Sequence, residues 1–195
     1  MKLPAIAASL VATIAASSVF AAPTLPVGYG DTSVKLDPMF VGALQSLSVT
    51  PSALGYARLR NGVASFPVID GDFDFGTAKG EIAHGGGLML KGGGTAVELR
   101  DFNIDTSGAA PVLTGKVIVN DNFVARIPLF DLRLPALTLP LQAPRGWGQL
   151  TVPGVKVTLN AGAAAALNGV FNVTAFAGGI QIGDATVKTF AFGGH

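Results

Sequence analysis

Four carboxylates, Asp70, Asp72, Asp74 and Glu81, stand at the first, third, fifth and twelfth places of the stretch DGDFDFGTAKGE. This is the spacing at which an EF-hand loop offers oxygen ligands to calcium. That loop also requires Gly at its sixth place for a sharp turn, and here the residue is Phe75. A bulky aromatic tolerates positive φ poorly. The flanks, VASFPVI and EIAHGGG, read as strand and turn where helices are needed. Asp70, Asp72 and Asp74 moreover alternate with Gly71, Phe73 and Phe75, the pattern of a strand with one wet and one apolar face. The expectation is a β-hairpin without a metal.

Other chemistry-bearing residues are few. HGGG at 84–87 matches the oxyanion-hole motif of some lipases, but those enzymes also need a G-x-S-x-G elbow and a late catalytic His. No such elbow is present, and the second His is the terminal His195. Two histidines and no cysteine leave no multi-His zinc site, no thiolate ligand, no disulfide and no Cys nucleophile. Glu81, Glu98, Asp101 and Asp105 lie close enough in sequence for a glycosidase pair. They read more simply as solvated strand faces and turn caps. NVT at 172–174 fits a glycosylation acceptor in a eukaryotic chain. No enzyme is expected.

The elements that must position these residues are mostly strands. Residues 1–22, MKLPAIAASLVATIAASSVFAA, have the basic start, apolar run and small-residue end of a cleaved signal peptide, so export is expected. Without Lys2, twelve basic residues face twelve acidic ones. A neutral domain lacks the clustered Lys and Arg that nucleic acid requires. No later apolar run reaches membrane-spanning length. Residues 23–195 suit a single domain in which 26 glycines and 12 prolines punctuate Val-, Leu-, Ile- and Phe-rich runs. Strands are predicted at 63–69, 87–91, 96–102, 112–119, 123–130 and 154–159.

Two short helices interrupt them. Asp37 as N-cap with Pro38 behind it opens one, and Asn160 ahead of an alanine run opens the other. They head segments 36–66 and 159–190, which align as an internal repeat flanking a β-rich middle. The four prolines in RIPLFDLRLPALTLPLQAPRGWGQL predict edge strands or loop there. Trp147, set between glycines, is expected in the core or half-buried, with an exposed place at a mouth as the alternative.

VASFPVIDGDFDFGTAKGEIAHGGGLMLKGGGTAVELRDFNID resembles the core of the HtaA-type domain of exported bacterial haem-uptake proteins. The shared features are a G-x-(Y/F)-D strand end, a turn closed by Gly, a strand with Gly pairs and an alternating L-x-(V/L)-x-(D/N) strand. LTVPGVKVTLNAGAAAALNGVF is similar to the family's closing strand and Ala-rich helix. The resemblance covers about half of residues 23–195. It implies a β-sandwich with short helices and haem iron held by a Tyr assisted by a His. The family's Tyr lies in an N-terminal W-x-x-K-x-S-F-x-x-Y segment that this chain lacks. Its His follows an F-T-G turn, where this chain has LKGGG and offers Gly93 or Gly94. Tyr56 and His84 stand as ligand candidates outside those motifs. Tyr ligation of haem iron is chemically sound.

The expected protein is therefore all-β, an antiparallel β-sandwich with two short helices. The expected role is non-enzymatic binding at the cell envelope, with haem or another apolar small molecule, or a cell-surface component, as partner. The alternative is a structural or adhesive surface domain without a small ligand.

Overall fold

The computed structural model describes residues 24–193. The signal peptide expected at 1–22 lies outside them. Among the described residues the chain is all-β, with eleven strands in one antiparallel sheet and two helices. In chain order these are β1 (Thr24–Leu36), α1 (Pro38–Ser46), β2 (Thr50–Leu54), β3 (Arg58–Arg60), β4 (Val63–Asp74), β5 (Lys79–His84) and β6 (Gly87–Gly92). There follow β7 (Thr95–Asp105), β8 (Val112–Val119), β9 (Asn122–Arg133), β10 (Gly146–Leu159), α2 (Ala161–Phe171) and β11 (Gln181–Gly193). No helix among the described residues is long and apolar enough to cross a membrane.

The two layers of the sandwich run into one another. Pairing proceeds β7–β5–β4–β1–β11–β10–β9–β8, and β8 pairs with β7 again. β7 manages this by carrying β8 along one edge and sharing the other. Thr95–Arg100 pair with β6, and Asn103–Asp105 pair with β5. The enclosed faces supply the apolar interior, with Val34, Phe66, Phe102, Ile104, Val157 and Val187 among its members. Phe66 and Phe102 meet edge to face at 5.0 Å. Such pairs add to the burial of the rings themselves.

β4 shows how the acidic stretch is built. Ala64, Phe66 and Val68 point inward and Ile69 outward by simple alternation, and a register shift between Val68 and Asp70 then turns Asp70 outward as well. Such a bulge reverses the strand's alternation. Beyond it Phe73 and Phe75 are buried, while Asp70 and Asp72 face solvent. The expected hairpin is present: β4 turns into β5 over residues 75–78, with Asp74 Oδ1 accepting from the backbone N–H of Gly76 (2.7 Å) and Thr77 (3.2 Å).

Both helix starts follow from local chemistry. Asp37 Oδ1 accepts from Met39 N at 2.8 Å, and Asn160 Oδ1 accepts from Gly162 N at 2.9 Å. Each cap satisfies a backbone donor that the helix leaves orphaned. Each follows directly on a strand end, at Leu36 of β1 and Leu159 of β10. After the helices the two units diverge: Val49–Thr50 leads into β2, whereas Val173–Thr174 lie in the connection to β11. Asn160 Nδ2 also donates to Asp131 Oδ1 at 2.8 Å. Asn160→Ala should cost about 1–2 kcal/mol, read from the midpoint of urea unfolding.

β9 continues through Pro128 to Arg133, pairing with β8 on one side and with β10 only over Phe130–Arg133, so Pro128 lies on an edge. Residues 134–145, with the other three prolines, form the connection to β10, as expected. One expectation needs correction. Trp147 is 64% exposed. β10 turns its side chain outward, and the partners that gather round it come from β1 and β11.

Candidate functional site

The tight turn after β2 consists of Gly55 and Tyr56 and is followed at once by β3. The HGGG motif explains why this turn can lie where it does. A Cβ on Gly86 would sit 2.6 Å from both Leu54 O and Ala57 N, and Gly86 has φ +81°. The bare backbone of Gly86 is thus the seat of the turn. A Cβ on Gly85 would meet Ile69, Pro67 and Tyr56 Cδ2 at 3.3–3.9 Å. These glycines serve packing, and they hold the Tyr56 ring over the β5–β6 connection.

Tyr56 is 82% exposed. It borders a surface cleft of ≈ 640 Å³ shared with Gly30, Asp31, Arg58, Ser65, Pro67 and Ile69. That size falls within the range of small-molecule sites. Ile69 and Pro67, both on the outward parity of β4, give the cleft an apolar wall, while Arg58 and Asp31 supply charge. Sequence reasoning singled out Tyr56 but not Arg58, Pro67 or Ile69. The anomaly that could have found Ile69 is its place next to Asp70, where two residue types suited to opposite faces follow each other.

His84 is next to Gly85 but points the other way. It is 2% exposed, with Nε2 2.7 Å from Thr32 Oγ1, and Nδ1 has no hydrogen-bond partner. Burial pushes its pKa down to about 4, partly countered by the Phe102 and Ile82 backbone, neither of which meets Nδ1 in hydrogen-bond geometry. The ring is therefore neutral at pH 7 and ties β5 to β1. The two candidates come together in the fold, one on the surface and one beneath it.

The carboxylates of the opening motif line a second, polar cleft of ≈ 790 Å³ with Lys79, Asp101 and Arg126. Asp72 pairs with Glu81, and Glu81 with Asp105, across three strands. Other partners occupy several of them. Glu81 accepts from Asn103 Nδ2 at 2.8 Å, and Asp105 accepts from Ser107 N at 2.8 Å and Oγ at 2.6 Å. The Ser107 hydrogen bonds lower the Asp105 pKa. Among the described residues no group of three or more His, Cys, Asp or Glu is placed to hold a metal ion. Between the helices and the sheet lies an apolar cavity of ≈ 60 Å³, lined by residues such as Phe40, Leu44, Leu129 and Leu167.

An antiparallel sandwich of this topology, capped by two short helices, is a known fold. No protein-family model and no curated protein sequence matches the chain. Several solved structures do, among them the following three. The C-terminal domain of HtaA from Corynebacterium glutamicum superposes with a TM-score of 0.60 at 16% identity, covering 86% of this chain and 99% of that one. The N-terminal domain of the same HtaA gives 0.59 at 14%, covering 85% and 99%. The heme binding protein HtaB from the same organism gives 0.58 at 10%, covering 87% and 96%. The resemblance to HtaA-type domains thus holds at the level of the fold.

Proposed function

We infer that this chain is an exported, non-enzymatic binding module of the cell envelope, and that its ligand is haem or another flat apolar molecule held at the Tyr56 cleft. The observation that carries this is Tyr56, set on a tight turn seated against Gly86 at the rim of a ligand-sized cleft with Arg58 and an apolar wall. These residues fit haem by type. The Tyr56 oxygen would hold the haem iron. Arg58 would pair with a propionate, and Pro67 and Ile69 would cover ring edge. His84 takes no part in holding the ligand, because its ring is buried away from the cleft with Nε2 engaged by Thr32. HtaB, a heme binding protein of the same fold, supports the same class of ligand. Export rests on the leader-like residues 1–22.

Haemin added to the purified protein should give a shifted Soret band. Tyr56→Phe should remove that shift while leaving the melting temperature unchanged. His84→Gln should leave the band position unchanged. A Soret position equal to that of free haemin would reject the haem reading.

A structural or adhesive surface domain is the second reading, and the small volume of the apolar cavity under the helices, ≈ 60 Å³, favours it. Absence of any ligand response at either cleft would select it.

A further inference from the structure

One row of the outward sheet face runs unbroken across six strands. Register pairs Arg60 of β3 with Val63 of β4, Val63 with Lys35 of β1, and Lys35 with Asp184 of β11. Asp184 then pairs with Lys156 of β10, and Lys156 with Arg133 of β9. Directly paired residues share a face of the sheet. Their neighbours along the strands, Ala64, Val34, Ala185, Val157 and Leu132, are buried, so the row faces solvent. Five strand spacings make it roughly 24 Å long.

The row holds four cations and one carboxylate, although the chain beyond residue 22 is formally neutral. The carboxylates beside it are already engaged. Asp184 pairs with the Lys156 ammonium, Asp131 accepts from Asn160 Nδ2, and Asp37 caps α1. Lys35, Arg60 and Arg133 are exposed and have no acidic partner among the described residues. Arg58 stands one row away, on the border of the Tyr56 cleft. Cations held at fixed spacing on a sheet create a local positive potential that an anion relieves.

The flanking rows narrow the kind of anion. Ser33 and Thr186 pair on one side of the charged row, and Thr158 and Gln181 on the other. These hydroxyl and amide groups donate and accept hydrogen bonds. No aromatic ring lies in the three rows, whereas single-stranded nucleic acid stacks its bases on such rings and a bilayer boundary takes Trp and Tyr. Guanidinium and ammonium groups set between hydroxyls match a polymer that carries carboxylates and hydroxyls together.

We propose that this row binds an acidic polysaccharide, which lies across the strands with its carboxylates on Arg60, Lys35 and Arg133 and its hydroxyls on Ser33, Thr186, Thr158 and Gln181. Each contact is weak because it is exposed, and the affinity comes from several made by one chain. The site adjoins the Tyr56 cleft without using its tyrosine, and it stands whether or not haem binds there.

Polygalacturonate, titrated by calorimetry into the purified protein at low ionic strength, should bind saturably. Its methyl ester keeps most hydroxyls but loses the charge, and should bind at least tenfold more weakly. Lys35→Gln, Arg60→Gln and Arg133→Gln should each weaken binding about two- to fivefold, and the triple variant about tenfold or more. Lys91→Gln removes an exposed cation from β6, outside the row, and should leave the affinity unchanged. Melting temperatures should match the wild type, and the haemin response of the triple variant should be that of the wild type. No binding of polygalacturonate overturns the proposal, and so does equal weakening by Lys91→Gln. Tighter binding of a single-stranded DNA oligomer or of phosphatidylglycerol vesicles, lost in the triple variant, also overturns it and assigns the row to phosphate.

Discussion

Phe75→Ala is expected to destabilise the fold by about 3–5 kcal/mol, the cost of emptying a fully buried aromatic site. Phe75 is 1% exposed, meets Phe73 edge to face at 5.7 Å, and its carbonyl accepts from Leu141 N at 2.7 Å. The position matters because it is the sixth place of the apparent calcium loop. Phe75→Gly supplies the residue that a calcium loop requires there, yet it removes the same ring. It should lose at least as much stability and gain no calcium affinity. Urea unfolding with and without calcium measures both. A loss below about 1 kcal/mol, or a midpoint raised by calcium, would show that the stretch is not the hairpin described.

Acid sensitivity centred on His84 is the second large effect. The unfolded chain protonates His84 near its ordinary pKa of 6.5, whereas the folded chain resists until about 4. Between those values the unfolded state binds more protons, so stability falls as pH falls. The contribution is fully present above about pH 6.5 and is lost as pH drops to about 4. At 1.36 kcal/mol per pH unit it amounts to roughly 3 kcal/mol. Unfolding free energies at pH 7, 6, 5 and 4 should trace this decline, and His84→Gln should flatten it. The wild-type protein being equally stable at pH 7 and pH 4.5 would contradict a buried neutral imidazole.

Much of the fold is legible in the sequence because local rules and tertiary packing agree there. β6, β7 and β8 alternate or run apolar between glycine breaks, and Asp37 and Asn160 cap helices as their side chains dictate. β1 is hard to read, since Pro26, Gly28, Gly30 and Asp31 are poor strand formers. It is a strand because β4 and β11 pair with it on both sides. β11 hides for a related reason: its inward face includes Ala185, Thr189 and Ala191, too small to mark an apolar stripe.

The site is less legible than the fold. Tyr56 and His84 are visible as rare residue types. That one lies outside and the other inside depends on the strand parity of β5 and on the three glycines after it. The Tyr56 cleft also takes Ile69, an apolar residue on the outward parity of β4, whose place is hidden because the bulge beside it sets Asp70 outward too. Trp147 is misplaced by sequence reasoning because its neighbours, Tyr29 and Phe192, are far away along the chain and meet it through strand pairing. Pairing across the sheet leaves no local trace.

The most direct test of the binding module is a map of amide shifts when gallium protoporphyrin, a diamagnetic analogue of haemin, is titrated into ¹⁵N-labelled protein. The expected result is saturable change confined to the Tyr56 cleft, at Gly30, Asp31, Tyr56, Arg58, Ser65 and Ile69, with Tyr56→Phe weakening it. No change at these positions, or change centred on the polar cleft around Asp72 and Glu81, would contradict the account.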